Sequence, residues 1–110
     1  MIYERVVMKK HLPSKKSIAP DKLDSRWLER TVKGFANHRR IQILQMLVIE
    51  PELSLSDICD QFDMESANGS EHVRKLAIAG LVVKRRQKNH VYHKITDRGM
   101  KVLSFLKKLK

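Results

Sequence analysis

Residues 54–80 read SLSDICDQFDMESANGSEHVRKLAIAG, and this stretch decides the fold. Ser54-Leu55-Ser56-Asp57 has the form of a capping box, in which the Ser54 hydroxyl and the Asp57 carboxylate satisfy each other's orphan backbone amides. The short helix it opens is predicted to run to about Phe62 and to bury Leu55, Ile58 and Phe62, with Cys59 beside them. Asp63-Met64-Glu65 makes a tight connection. A second helix then spans about Ser66 to Ala79, with Val73, Leu76 and Ala77 on its buried face and Gly80 as its C-terminal stop.

Working outward, a helix starting near His38 carries Ile41, Leu44, Leu47 and Val48, widened by Ile43 and Met46. Pro51 ends it, because the residue before a proline disfavours helical geometry. Ahead of it, Asp24-Ser25 can cap another helix bearing the stripe Trp27, Leu28, Val32 and Phe35. Downstream, Leu81-Val82-Val83, the polar run Lys84 to Asn89 and the alternation Val91, His93, Ile95 predict a β-hairpin with a basic tip. Thr96 caps a last helix in which Met100, Leu103, Leu106 and Leu109 recur every three residues. The order helix, helix, helix-turn-helix, hairpin, helix is that of a mainly α domain with a small β-hairpin, a winged helix-turn-helix, over residues 23–110. Residues 1–22 hold six basic side chains, two acidic ones, Pro13 and Pro20, and read as a flexible basic arm.

Composition bounds the partner. The chain of 110 residues has 23 Lys and Arg against 12 Asp and Glu, a formal net charge of +11, which is the electrostatic footprint of a polyanion binder. No apolar run approaches the roughly 18 residues that span a bilayer, and no signal peptide is evident, so a cytoplasmic protein without a membrane partner is expected. A single cysteine, Cys59, excludes an internal disulfide; beside Ile58 and Phe62 it reads as a small buried hydrophobe. Glycine-rich phosphate loops, paired carboxylates in an apolar pocket and nucleophile–base arrangements are absent, which argues against an enzyme.

In a helix-turn-helix the second helix enters the major groove. At about 100° per residue, position 69 falls with Val73, Leu76 and Ala77 on the core side. The candidate reading face comprises Ser66, Ala67, Asn68, Ser70, Glu71, His72, Arg74 and Lys75. Asn68 suits adenine, Arg74 guanine or a phosphate, Glu71 the cytosine amino group, and Ser70 a phosphate. Gly69 stands where an aliphatic residue is expected and costs the helix about 1 kcal/mol relative to alanine. The candidate wing residues are Lys84, Arg85, Arg86, Lys88, Asn89 and His90; residues 84–94 hold five Lys or Arg and no acid, as suits phosphate contact. Trp27 and Tyr92 read as packing anchors rather than stacking platforms.

Several segments resemble ArsR-type winged-helix repressors: Phe35 to Leu44, Leu55 to Cys59, Ser70 to Leu76 with Ala79 to Val82, and Val91 to Ile95. The resemblance covers about residues 27–97, while Ile95-Thr96-Asp97-Arg98-Gly99 looks more like MarR-type proteins. It implies a homodimer in which the first and last helices make the two-fold contact, through Trp27, Leu28, Val32, Met100, Leu103, Leu106 and Leu109. It also implies repression by a dimer that reads an inverted repeat in double-stranded DNA. The family's metal sensors carry a Cys-x-Cys pair where this chain has Ser54 and Ser56, and serine hydroxyls are poor ligands for such metals. His90 and His93, three apart on a strand, point to opposite faces, so no metal or other cofactor is expected and the effector is open. A winged-helix module that binds RNA or a protein partner is the alternative.

Overall fold

A computed structural model describes residues 23–110; the reading of residues 1–22 as a basic arm lies outside the described residues. In chain order the elements are α1 (Ser25–Phe35), α2 (His38–Ile49), β1 (Leu53–Ser54), α3 (Leu55–Phe62), α4 (Ser66–Ile78), β2 (Val82–Gln87), β3 (His90–Ile95) and α5 (Asp97–Lys107). Each predicted helix is present, and side-chain caps explain where four of them start. Asp24 accepts from the Arg26 amide, Asn37 from Arg39 and Arg40, and Thr96 from Gly99. The Ser54–Asp57 capping box closes in both directions at 3.1 Å. Helix α4 starts after Glu65 without a side-chain cap. Its entry is set instead by Asp63, which takes a left-handed conformation (φ 49°) and turns the chain between α3 and α4. At the far end Gly80 (φ 77°) stops α4, and the Thr96 hydroxyl donates to the Gly80 carbonyl at 2.7 Å.

The hairpin differs from the sequence reading in length. Lys84 to Gln87, expected at the tip, continue the β2 strand, and the turn itself is only Lys88-Asn89, with Lys88 at φ 55°. The register pairs Val82 with Ile95, Lys84 with His93, Arg86 with Val91 and Gln87 with His90. A third strand was not anticipated: β1 pairs antiparallel with β3 through Leu53↔His93 and Ser54↔Tyr92, giving the order β1-β3-β2. Two residues are too few to show a strand period, so only the tertiary pairing reveals it.

Ile43, Leu44, Leu47, Ile58, Val73, Leu76, Leu81 and Val82 form the buried centre, with Phe35 and Ala79 closing it. Complete burial of one such aliphatic side chain contributes about 1.5–3 kcal/mol relative to exposure, so this cluster supplies the drive that holds α2, α3 and α4 against the sheet. Ile43, expected only to widen the α2 stripe, is fully buried, whereas Val48 is exposed. Two buried polar groups act as fasteners. Arg40 donates from Nη1 to the Lys33 and Gly34 carbonyls at 3.1 Å, satisfying the C-terminal end of α1. The ring of His93, 3% exposed, bonds the Leu53 carbonyl through Nδ1 at 2.9 Å and ties the central strand to β1. Arg98 joins three elements at a corner: it donates to the Ala79 carbonyl at 3.2 Å and lies 4.9 Å above the Trp27 ring.

Candidate nucleic-acid interface

Helix α4 presents Ser66, Ala67, Asn68, Ser70, Glu71, Arg74 and Lys75 to solvent on one side and buries Gly69, Val73 and Leu76 on the other. His72 turns partly inward. Its Nδ1 is buried without a partner, and burial, together with the neighbouring Arg40 charge, holds its pKa below the usual histidine value. The outward groups are free of the core because α4 docks on α3 through a very close approach at Gly69. A Cβ there would stand 2.4 Å from the Cys59 Sγ and 3.4 Å from Leu55 Cδ1. This gives a role to a residue the sequence left without one: with Cys59 in place, even a methyl at position 69 would collide with its sulfur at this α3–α4 separation.

Glu71 does not stand alone at the centre of the exposed face. Its Oε1 accepts from Arg74 Nε and its Oε2 from Arg74 Nη2, both at 2.8 Å, and Lys75 Nζ lies 3.7 Å from Oε2. The Arg74 hydrogen bonds hold the Glu71 carboxyl below its ordinary pKa, and the same pair raises that of Arg74. The spacing i, i+3 and i, i+4 carried the signal for these pairs, although the sequence reading treated the three residues as separate contacts.

On the wing, Lys84, Arg85, Arg86, Lys88, Asn89 and His90 are all exposed. The register separates them by face. Lys84 lies opposite His93 and Arg86 opposite Val91, and Lys84, Val91 and His93 line a small cleft shared with Ser70 and Val73 of α4. Arg85 lies on the other face, bound through Nε to Glu52, stacked 5.5 Å from the Tyr92 ring and bonded to Gln87. The Glu52–Arg85 pair, 33 residues apart in sequence, had no local signal. Cys59 is buried; its thiol lies 3.8 Å from the Glu65 carbonyl and burial pushes its pKa up, consistent with a packing role. No group of three or more His, Cys, Asp or Glu that could hold a metal occurs among the described residues. None of the described helices is long and apolar enough to cross a membrane.

The comparisons with known proteins agree with this geometry. A family model described as a winged helix DNA-binding domain matches residues 37–99, from the cap of α2 to the first turn of α5. The chain belongs to this family. HlyU, a transcriptional activator of Vibrio cholerae, is 31% identical over 72 residues, 66% of this chain and 66% of that protein. A CadC homolog of Staphylococcus aureus, a cadmium resistance transcriptional regulatory protein, is 27% identical over 74 residues, 67% of this chain and 61% of that protein. The match therefore spans just under two thirds of each relative. Among solved structures, the homodimeric winged helix-turn-helix domain of Mb0332 from Mycobacterium bovis, a possible ArsR-family regulator, superposes with a TM-score of 0.69 at 24% identity. That superposition covers 88% of this chain and 85% of that one, and it shows the common fold. The ArsR-type resemblance and the winged-helix reading both hold. This winged helix domain thus belongs with DNA-binding proteins rather than enzymes.

Proposed function

We propose that the chain is a transcriptional regulator that binds an inverted repeat in duplex DNA as a homodimer and represses by occupying a promoter. The observation that carries this reading is the juxtaposition, within a DNA-binding family domain, of an exposed polar face on α4 with a basic two-stranded wing. Asn68, Ser70 and Arg74 meet base edges and nearby phosphates in the major groove, with Glu71 paired to Arg74 beside them; Lys84, Arg86 and Lys88 hold the flanking backbone. The net charge of +11 supports the sequence-independent part of the affinity.

The dimer is supported by apolar side chains that one copy leaves uncovered. Trp27, Val32, Met100 and Leu109 are exposed on or just beyond α1 and α5, together with Phe105, which the sequence reading overlooked. Leu28, Leu103 and Leu106 are half-buried beside them. Covering such a surface with a second copy removes it from water and sets two copies of α4 about 34 Å apart, one turn of the duplex. Gel-shift titrations against random duplex, palindromic duplex and structured RNA, with light scattering on the free protein, test the proposal. Tight binding confined to a palindrome by a dimer is expected. A monomer at micromolar concentration, or preference for RNA, refutes it.

A further inference from the structure

We propose that Glu71 determines sequence specificity as a positioning residue, holding the Arg74 guanidinium so that its outer edge reads a guanine. This rests on the reading of α4 as the helix that enters the major groove. A guanidinium has two forked edges, one formed by Nε and Nη2, the other by Nη1 and the outer N–H of Nη2. Glu71 occupies the first, accepting from Nε and Nη2 at 2.8 Å each. The second edge is left for a ligand, and its two parallel donors match O6 and N7 of guanine in the major groove.

Charge and geometry favour this role over the two simpler ones. As a direct reader of a cytosine amino group, Glu71 would have to give up charged donors, since both its oxygens are already engaged by Arg74, with Lys75 alongside. As an unpaired carboxylate it would repel the DNA backbone, but with Arg74 and Lys75 gathered around it the group of three carries a net positive charge. An exposed pair of this kind contributes little to folding. Its effect is to restrict Arg74, which without it sweeps freely and reaches phosphates as easily as bases. Side chains of Arg74 and Glu71 are 55% and 48% exposed, so substitutions here leave the core intact.

The test uses the full chain and its Glu71→Ala, Glu71→Gln and Arg74→Ala variants. Each selects sites from a pool of random duplexes, and Kd is then measured at one salt concentration for the preferred site and its single-base variants. The unsubstituted chain should prefer guanine at one position per half-site by about fivefold or more, and Arg74→Ala should abolish that preference. Glu71→Ala should bind random duplex as well or better while losing most of the guanine preference, and Glu71→Gln, which keeps an acceptor, should fall between. A uniform gain in affinity with unchanged base preference in Glu71→Ala overturns the proposal, as does a guanine preference that survives Arg74→Ala. If the unsubstituted chain binds no duplex at all, the DNA-binding reading itself falls and this assignment with it.

Discussion

Replacing Gly69 by alanine sets two effects of comparable size against each other. In an isolated helix the change stabilises by about 1 kcal/mol, because glycine has more backbone freedom to lose. Here the new Cβ arrives 2.4 Å from the buried Cys59 Sγ, more than an ångström inside van der Waals contact. Relief requires α4 to move off α3 or the thiol to rotate within a filled core, and overpacking of this kind costs about 1–3 kcal/mol. The net expectation is a loss of about 1 kcal/mol, a fall in Tm of about 4–8 °C for a domain of this size. Cys59→Ala alone should also cost about 1 kcal/mol, by opening a small cavity. The double variant should return close to the parent, since the methyl at 69 then occupies the space the thiol left; the coupling is about 2 kcal/mol. Thermal and urea unfolding followed by circular dichroism, with unchanged m-values, measures all four corners of the cycle. Additivity within 0.5 kcal/mol, or a single Gly69→Ala variant more stable than the parent, would refute the argument that this contact sets the α3–α4 distance.

Three other outcomes are expected. Arg86→Ala should lower the slope of log affinity against log salt by about 0.9, the loss of one phosphate contact, and Arg85→Ala should do less because Glu52 already pairs with that side chain; equal effects would count against the face assignment of the wing. Cys59 should resist thiol reagents in the folded protein and react quickly in urea, and rapid native labelling would contradict its burial beneath α4. Burial holds the pKa of His93 below 6.5, as it does that of His72, so as pH falls below that value the unfolded chain takes up protons first. Stability should therefore be fully present above pH 6.5 and decline as pH drops through the folded pKa values; a His93 ring that titrates at or above 6.5 by NMR would contradict this sign.

The local signals were strong wherever one short segment contains both halves of an interaction. Ser54 and Asp57 close their box within four residues, Thr96 caps the helix that follows it, and Gly80 ends α4 at a positive φ that its lack of a side chain permits. With the apolar periods of α2 and α4, these sufficed for the element order and the winged-helix fold. The wing was legible as a hairpin but not in its extent, because Lys84 to Gln87 carry no strand period and are held in β2 by pairing with β3 alone.

From the sequence alone come the five helices with their caps, the presence of the hairpin, the positive charge and the face of α4 that is turned outward. The tertiary structure alone decided which charges that face and the wing can offer to a ligand. Arg85 is drawn to Glu52 across 33 residues, and Arg40 and Arg98 are spent on carbonyls at helix ends. Gly69 acquires its meaning only when α3 is laid across it. The physical reason is common to all of these. Caps and periods depend on neighbours a turn away, whereas ion pairs, tight contacts between helices and short strands depend on distances that exist only after the chain has folded.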